Sequence, residues 1–381
     1  MSGHEVPSLL LDDEQKMLSR TARELIRERA PAARLRAFRD TGDPVGFSGE
    51  LWREMADLGW IGLQIPEAYG GMGLGFFDLC VVLEQSGREL MPEPFVSTLL
   101  LGTQALLLGG SEAQRKSLLP GVASGEIVLS IGYDEPSAPP GMPRPAVAVE
   151  RSGDRFELSG ERAQVLDAHV ADRIMVLAAT SEGGSTLFLV DPARAEVSVT
   201  RQHRMDGLNA AIVRLERLRV GADDIVGVLD GGASLLESVL DRASVGLAAQ
   251  MLGASEQAFA DTLAYLKERE QFDVPIGSFQ ALQHRAVSVF TEIALTRSAV
   301  LAAARAIDEK PAEVPRLASL AKSIASETFL LSAKEAIQMH GGIGVTDEHD
   351  IGFYFKRAHA AYMTFGTPSQ HRQRWAELHD Y

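Results

Sequence analysis

The chain has 381 residues, 45% of them hydrophobic, with 37 basic against 52 acidic side chains and a formal net charge of −15. That apolar fraction excludes disorder over the whole length and permits a sizeable core. The acidic balance argues against a nucleic-acid coat or an anionic-membrane binder, while leaving room for a local basic pocket. Cys80 is the single cysteine, so an intrachain disulfide and a cysteine-rich zinc site are excluded; in its apolar run it reads as a buried, inert thiol. No basic-then-apolar leader occupies Met1 to Pro7, and no stretch approaches 18 uncharged apolar residues. The expectation is a cytoplasmic protein with no membrane span.

Residues 1–125 read as a helical domain. Asp12 followed by Gln15 has the form of a capping box, and Leu18, Ala22, Leu25 and Ile26 supply the apolar stripe behind it. Pro31 interrupts that pattern, although 32–37 can continue helically, and 42–49 is a loop. Leu51, Met55 and Leu58 form a short helix stopped by Gly59. The stretch 66–74 is too rich in glycine for regular structure. Helical runs follow over 76–90, 96–108 and 111–119, the last ending at Pro120 and Gly121. Residues 126–228 change period and read as a compact β domain, with short strands over 146–149, 156–158, 174–178, 186–190 and 211–215. A proline-rich loop holding Pro136, Pro139, Pro140, Pro143 and Pro145 interrupts its early part. Residues 229–381 are helical again, with long runs over 235–267, 279–307 and 314–339 and a terminal run from 350. Their many alanines imply closely packed helices, as in a bundle.

The nine histidines are scattered, with no HExxH spacing, and no GxSxG elbow follows a strand. Gly341, Gly342 and Gly344 resemble half a dinucleotide fingerprint but follow a helix, so they fail the context that motif requires. They are either a helix cap and tight turn or backbone amides facing a phosphate or ribityl chain. Arg269 and Gln271 at a helix exit are likewise either an ordinary helix end or a bidentate phosphate contact.

At these same residues the sequence resembles the acyl-CoA dehydrogenase family over nearly its whole length. Residues 265–280, YLKEREQFDVPIGSFQ, are similar to the family's YxxxRxQFGxPIxxFQ signature, and 338–346, QMHGGIGVT, to its QxxGGxG(Y/F)T loop. The PEAYGG segment, the 119–126 stretch and the turn Phe365-Gly366-Thr367 agree in order and spacing. The resemblance implies an α+β fold with an N-terminal helical domain, a central β-barrel-like domain and a C-terminal four-helix bundle. It also implies non-covalent FAD and removal of two hydrogens from Cα and Cβ of an acyl-CoA thioester. Arg269, Gln271 and Phe272 would approach the pyrophosphate and adenine end of FAD, with Gln280, Gln338, Gly341 and Gly342 completing the contact and Thr367 counted with them. In the family such groups reach across a dimer interface to a flavin held mainly by the neighbouring subunit.

The departures from the family are patterned. The loop that covers flavin and thioester keeps Glu135-Pro136 but loses its Gly-Ser-Asp. The family's Trp-Ile-Thr-Asn corresponds to Gln164-Val165-Leu166-Asp167, without an indole face or a hydroxyl donor. The catalytic glutamate corresponds to Phe365, and the alternative position on the first long helix to Ala243; neither takes a proton. Asp241 is a weak substitute, and Glu135 and Glu237 are weaker. No catalytic residue is therefore assigned. The favoured expectation is a subunit of a heteromeric enzyme, a heterodimer or α2β2, that contributes FAD-binding groups to a homologous catalytic chain acting on a bulky acyl-CoA such as a steroid side-chain thioester. Electron-transfer flavoprotein is the acceptor the resemblance implies. The alternatives are an active homodimer or homotetramer with a displaced base, and a non-redox acyl-CoA-binding protein.

Overall fold

A computed structural model describes residues 11–133, 147–153, 155–181 and 184–381. Met1 to Pro7, Glu135 with the proline-rich loop, Ala146 and Asp154 lie outside them.

The N-terminal helices start where side chains satisfy their first amides. Asp12 and Gln15 close a reciprocal capping box on α1 (Asp13–Arg29), which buries Ala22 and Ile26. Helix α2 (Arg34–Thr41) ends on Gly42 in the left-handed region, and Ser48 caps α3 (Gly49–Asp57). The glycine-rich stretch holds one 3₁₀ turn, Glu67–Tyr69; a Cβ at Gly71 would fall 2.0 Å from the Ile65 carbonyl oxygen. Helix α4 (Phe76–Arg88) is capped from outside, by the Asp308 carboxylate accepting from the amides of Phe76 and Phe77 at 2.8 and 2.9 Å. The run expected over 96–108 is a π-helical stretch, Phe95–Gly102, leading into α5 (Thr103–Gly109). Helix α6 (Glu112–Ala123) continues through Pro120 instead of stopping there. The proline falls in the final turn, where it removes one hydrogen bond while the amides of Ser124, Gly125 and Glu126 still close back on Pro120, Val122 and Gly121.

Among the described residues, eight strands form one mixed sheet: β1 (Leu129–Gly132), β2 (Val147–Ser152), β3 (Arg155–Leu166), β4 (Arg173–Ser181), β5 (Gly184–Val190), β6 (Val197–His203), β7 (Asn209–Gly221) and β8 (Ile225–Val226). Their order is β6-β7-β3-β2-β4-β5-β8; β1 and β2 both run parallel to β4, and the other pairings are antiparallel. Among the described residues the ladder stays open, ending in β6 and β8. Sequence patterning misses β6, an edge strand of half-buried and exposed residues paired only with β7. Strands β3 and β7 outrun their apolar cores because register shifts near Gly160 and between Arg162 and Val165 interrupt the alternation.

The C-terminal helices are α7 (Gly232–Glu268), α8 (Gln280–Glu309), α9 (Val314–His340), α10 (Ile351–Met363) and α11 (Pro368–Glu377), with a small hairpin of β9 (Glu270–Gln271) and β10 (Val274–Pro275) between α7 and α8. The first four pack as a bundle, and α4 lies across α7. Glycines make that crossing possible: a Cβ at Gly253 would sit 1.8 Å from the Glu84 carbonyl oxygen, and one at Gly87 would sit 2.0 Å from that of Gln250. Helix α8 is long and apolar enough to cross a membrane on length and composition, the same property an apolar bundle helix has.

Candidate functional site

Two regions collect the residues singled out by sequence. The first is the end of the bundle where α7 and α9 finish. The Tyr265 ring stacks on His340 with centroids 4.5 Å apart, and His340 in turn meets His349 at 4.6 Å. This stack sets the exit of α7 beside the exit of α9. Arg269 is the C-cap of α7, its amide donating to the Tyr265 carbonyl, and its guanidinium is exposed with no hydrogen-bond or ion-pair partner among the described residues. Gln271 and Phe272 follow on the hairpin, and Gln280 opens α8, all exposed. Phe272 and Asp273 both have positive φ, 56° and 64°, as a two-residue hairpin turn requires. Aspartate therefore stands where the family has glycine without breaking the turn.

Across the stack, Gln338 is exposed and Gly341 leaves α9 with φ +64°. A Cβ at Gly341 or Gly342 would meet nothing within 4 Å, so this backbone is open. Thr367 stands apart from the group: it is the N-cap of α11, its hydroxyl accepting from the Gln370 amide at 3.3 Å. An apolar face continues from the exit, with Phe272 86% and Val345 74% exposed and Val287, Phe290 and Leu295 exposed along α8.

The second region is a cavity of about 40 Å³ under α4, α7 and α10, lined among others by Leu166, Leu247, Met251, Phe329 and Thr364. It has room for about three waters. Beside it Phe365 is buried in a left-handed conformation, φ +61°, and Ala243 is fully buried on α7. Asp241 is engaged elsewhere. Its carboxylate faces α11, where Arg374 donates to it at 3.1 Å and to Glu237 at 3.0 Å. Burial lifts the Asp241 pKa even against that ion pair. On β3, Gln164 is exposed with φ +52°, its backbone N–H donating to the Gln202 Oε1 at 3.2 Å, while Leu166 forms cavity wall. Asp167 is buried, accepts from the Ser97 hydroxyl, and is pushed up to about 6 by burial.

Two charged clusters here escaped the sequence reading. The β6–β7 turn places Asp206 against Arg204, bidentate at 3.0 Å on each oxygen, and Arg357 of α10 approaches the same carboxylate at 3.5 Å. Burial alone would lift Asp206, but Arg204 and Arg357 together hold it below the usual carboxylate range. Behind the wall, fully buried Lys322 donates to the Ser326 hydroxyl and to the carbonyls of Ala361 and Gly366 at 2.9, 3.2 and 3.0 Å. Burial brings its pKa down to about 7. His371 donates from Nε2 to the Phe365 carbonyl at 3.0 Å, and burial, helped by Lys322, brings it down to about 4. The only local signal of the first cluster was the R-x-D spacing; an alanine-rich helix gave none for Lys322.

These two regions answer differently to FAD. The open glycine backbone past the helix end, with amides in a tight turn, and the exposed Arg269 guanidinium fit a pyrophosphate. The Leu166 cavity, with room for three waters, does not fit a tricyclic isoalloxazine.

Two family models match the chain: "Acyl-CoA dehydrogenase, N-terminal domain" over residues 12–126, and "Acyl-CoA dehydrogenase, C-terminal domain" over 230–377. The acyl-CoA dehydrogenase IpdE2 of Mycolicibacterium smegmatis is 31% identical over 365 residues, 96% of this chain and 98% of its own. Among solved structures, a point variant of the Tcur3481-Tcur3483 steroid ACAD is 34% identical with a TM-score of 0.86, covering 97% of this chain and 98% of its own. The ChsE4-ChsE5 complex from Mycobacterium tuberculosis is 25% identical with a TM-score of 0.87, covering 98% and 99%.

Proposed function

Because the chain belongs to the acyl-CoA dehydrogenase family, we propose that it is the non-catalytic or half-site subunit of a heteromeric FAD-dependent enzyme. That enzyme introduces a Cα=Cβ double bond into a bulky acyl-CoA, and this chain contributes cofactor-binding groups to a homologous catalytic partner. The observation that carries the reading is the cavity next to Phe365: it is small, and its one lining carboxylate among the described residues, Asp206, is held by Arg204. A general base must reach the proton it removes, and no group in this lining is free to do so.

When bound, FAD supplies the hydride acceptor of the reaction. This chain's part is to bind and orient. The Arg269 guanidinium donates to pyrophosphate oxygens, Gln271 and Gln280 add neutral donors, and the Gly341 and Gly342 backbone approaches closely because no side chain intervenes. The apolar face from Phe272 along α8 packs against the partner chain, excluding water around the shared dinucleotide. The relatives support this reading by their own names, one a steroid ACAD pair and another a two-component complex. Electron-transfer flavoprotein is the acceptor implied.

The test is flavin content and anaerobic bleaching at about 450 nm on adding acyl-CoA, for the chain alone and for the co-purified pair. The expected result is no bleaching by the lone chain and rapid bleaching by the pair. Rapid bleaching by the lone chain would transfer the argument to an active homo-oligomer.

A further inference from the structure

We propose that Arg36 of α2 is a positioning residue for the glycine loop that leaves α9, so that the N-terminal domain presets this chain's seat for a pyrophosphate. The proposal rests on the cofactor-sharing reading for what that loop receives. The loop is exposed almost throughout: within 341–348 only Gly344 is buried. Behind it lies a groove of about 500 Å³ lined by Arg36, Gly344, Val345, Thr346 and Phe353 among others, so side-chain packing does not brace it on that side. An exposed glycine-rich segment keeps many backbone states, and a ligand that binds it must first order it. A contact from outside the loop that holds it in advance lowers that cost.

Arg36 supplies that contact with one guanidinium. Its Nη1 donates to the Asp347 carbonyl and, at 3.3 Å, to Asp347 Oδ2; its Nη2 donates to the Glu348 carbonyl at 3.4 Å and to Asp350 Oδ1 at 2.8 Å. Among the described residues no backbone amide donates to either carbonyl, so Arg36 fixes a stretch that secondary structure leaves open. The planar fork spans three residues at once, which the point charge of a lysine does not. The guanidinium also lies over the Phe353 ring, 5.0 Å from its centroid, and that ring is buried on α10. The base of the strut is fixed as well: neighbouring Leu35 is buried, and Arg34 pairs at 2.8 Å with the fully buried carboxylate of Glu93. Arg39 grips both Asp347 oxygens at 2.7 Å, but that carboxylate is 62% exposed, and Lys356 only approaches it at 3.8 Å. Exposed pairs of this kind contribute little. Of the three cations, Arg36 is the one that holds backbone, and its side chain is only 26% exposed.

Two measurements test this, on parent, R36Q, K356Q and R269A. The first is hydrogen exchange in the full chain alone, read over 341–353, where the amides of Gly352 and Phe353 donate to the carbonyls of His349 and Asp350. R36Q should exchange there about fivefold faster or more, while K356Q, which removes a cation beside the same carboxylate and ring but no backbone contact, follows the parent. The second is FAD affinity of the co-purified pair, which a purely structural role would leave unmoved. R36Q should weaken it about fivefold or more, with K356Q within about twofold of the parent. If R36Q does not fold, R36K, which keeps the charge and loses the fork, should move both readouts in the same direction. Unchanged exchange, equal weakening by K356Q, or unchanged FAD affinity in R36Q while R269A weakens it would overturn the proposal and leave cofactor sharing intact. Unchanged affinity in both R36Q and R269A would instead overturn cofactor sharing, and this proposal with it.

Discussion

Replacing Lys322 by methionine should change how stability depends on pH, with a sign and size set by its surroundings. Lys322 is fully buried, faces only neutral oxygens, and has its pKa brought from 10.5 to about 7. Between those values the unfolded chain binds a proton that the folded chain does not, so this residue makes stability rise with pH. Below pH 7 both states are protonated and the full penalty of the buried charge remains. Integrating the two titrations from pH 6 to pH 9 gives a gain of about 2–3 kcal/mol. K322M lacks that gain. It also loses the donors to Ala361 and Gly366, at a cost of about 1–3 kcal/mol for each carbonyl left unsatisfied. The variant should therefore come close to the parent at pH 6 and fall well below it at pH 9. Urea unfolding of both proteins at pH 6, 7, 8 and 9 measures the gap, and titrations common to both cancel. A gap constant to within about 0.5 kcal/mol across that range would refute the reasoning, because it would mean that Lys322 holds its proton throughout.

Three further outcomes follow from the same geometry. R269A in the reconstituted pair should lose about 1.5–3 kcal/mol of FAD binding, roughly 10- to 150-fold, since a charge-assisted contact is removed; unchanged flavin occupancy and affinity would remove Arg269 from the site. His371, brought down to about 4, stays neutral in the folded chain while the unfolded chain protonates, so stability should be lost as pH falls from about 6.5 toward 4. H371N should show a shallower acid loss in denaturation at pH 4.5 to 7. F365E alone should leave the lone chain unable to bleach flavin, because Gln164 and Leu166 are unchanged and the new carboxyl, at a buried position, is pushed upward; anaerobic titration with acyl-CoA checks it.

The contrast between what the sequence reveals and what it conceals has a physical basis. Helices α7, α8 and α9 are legible because their apolar period persists over 27 to 37 residues. The capping pair Asp12 and Gln15 is legible because both partners lie within one turn. Strand β6 is hidden because an edge strand with little burial needs no apolar alternation. Continuation of α6 through Pro120 is hidden because the ring is tolerated only near a helix end, and the position of that end depends on Gly121 and Ile127 closing the next turn.

The site divides along the same line. Arg269, Gln271, Gly341 and Gly342 are found from local motifs, since a helix exit and a glycine turn are each encoded within a few residues. Their meeting depends on Tyr265 stacking on His340, 75 positions later, which no local pattern states. The cavity is harder still, because its character lies in a charge balance among residues far apart in the chain. Arg357 reads as one of several basic residues on an amphipathic helix. It becomes a buried cation only where α10 meets the β6–β7 turn, and there it shares Asp206 with Arg204. That Phe365 and Ala243 carry no titratable group is visible as two letters. How the buried charges around them behave is decided by neighbours distant in the chain: Arg204 and Arg357 hold Asp206 below the usual carboxylate range, whereas Lys322, facing only neutral oxygens, is brought down to about 7.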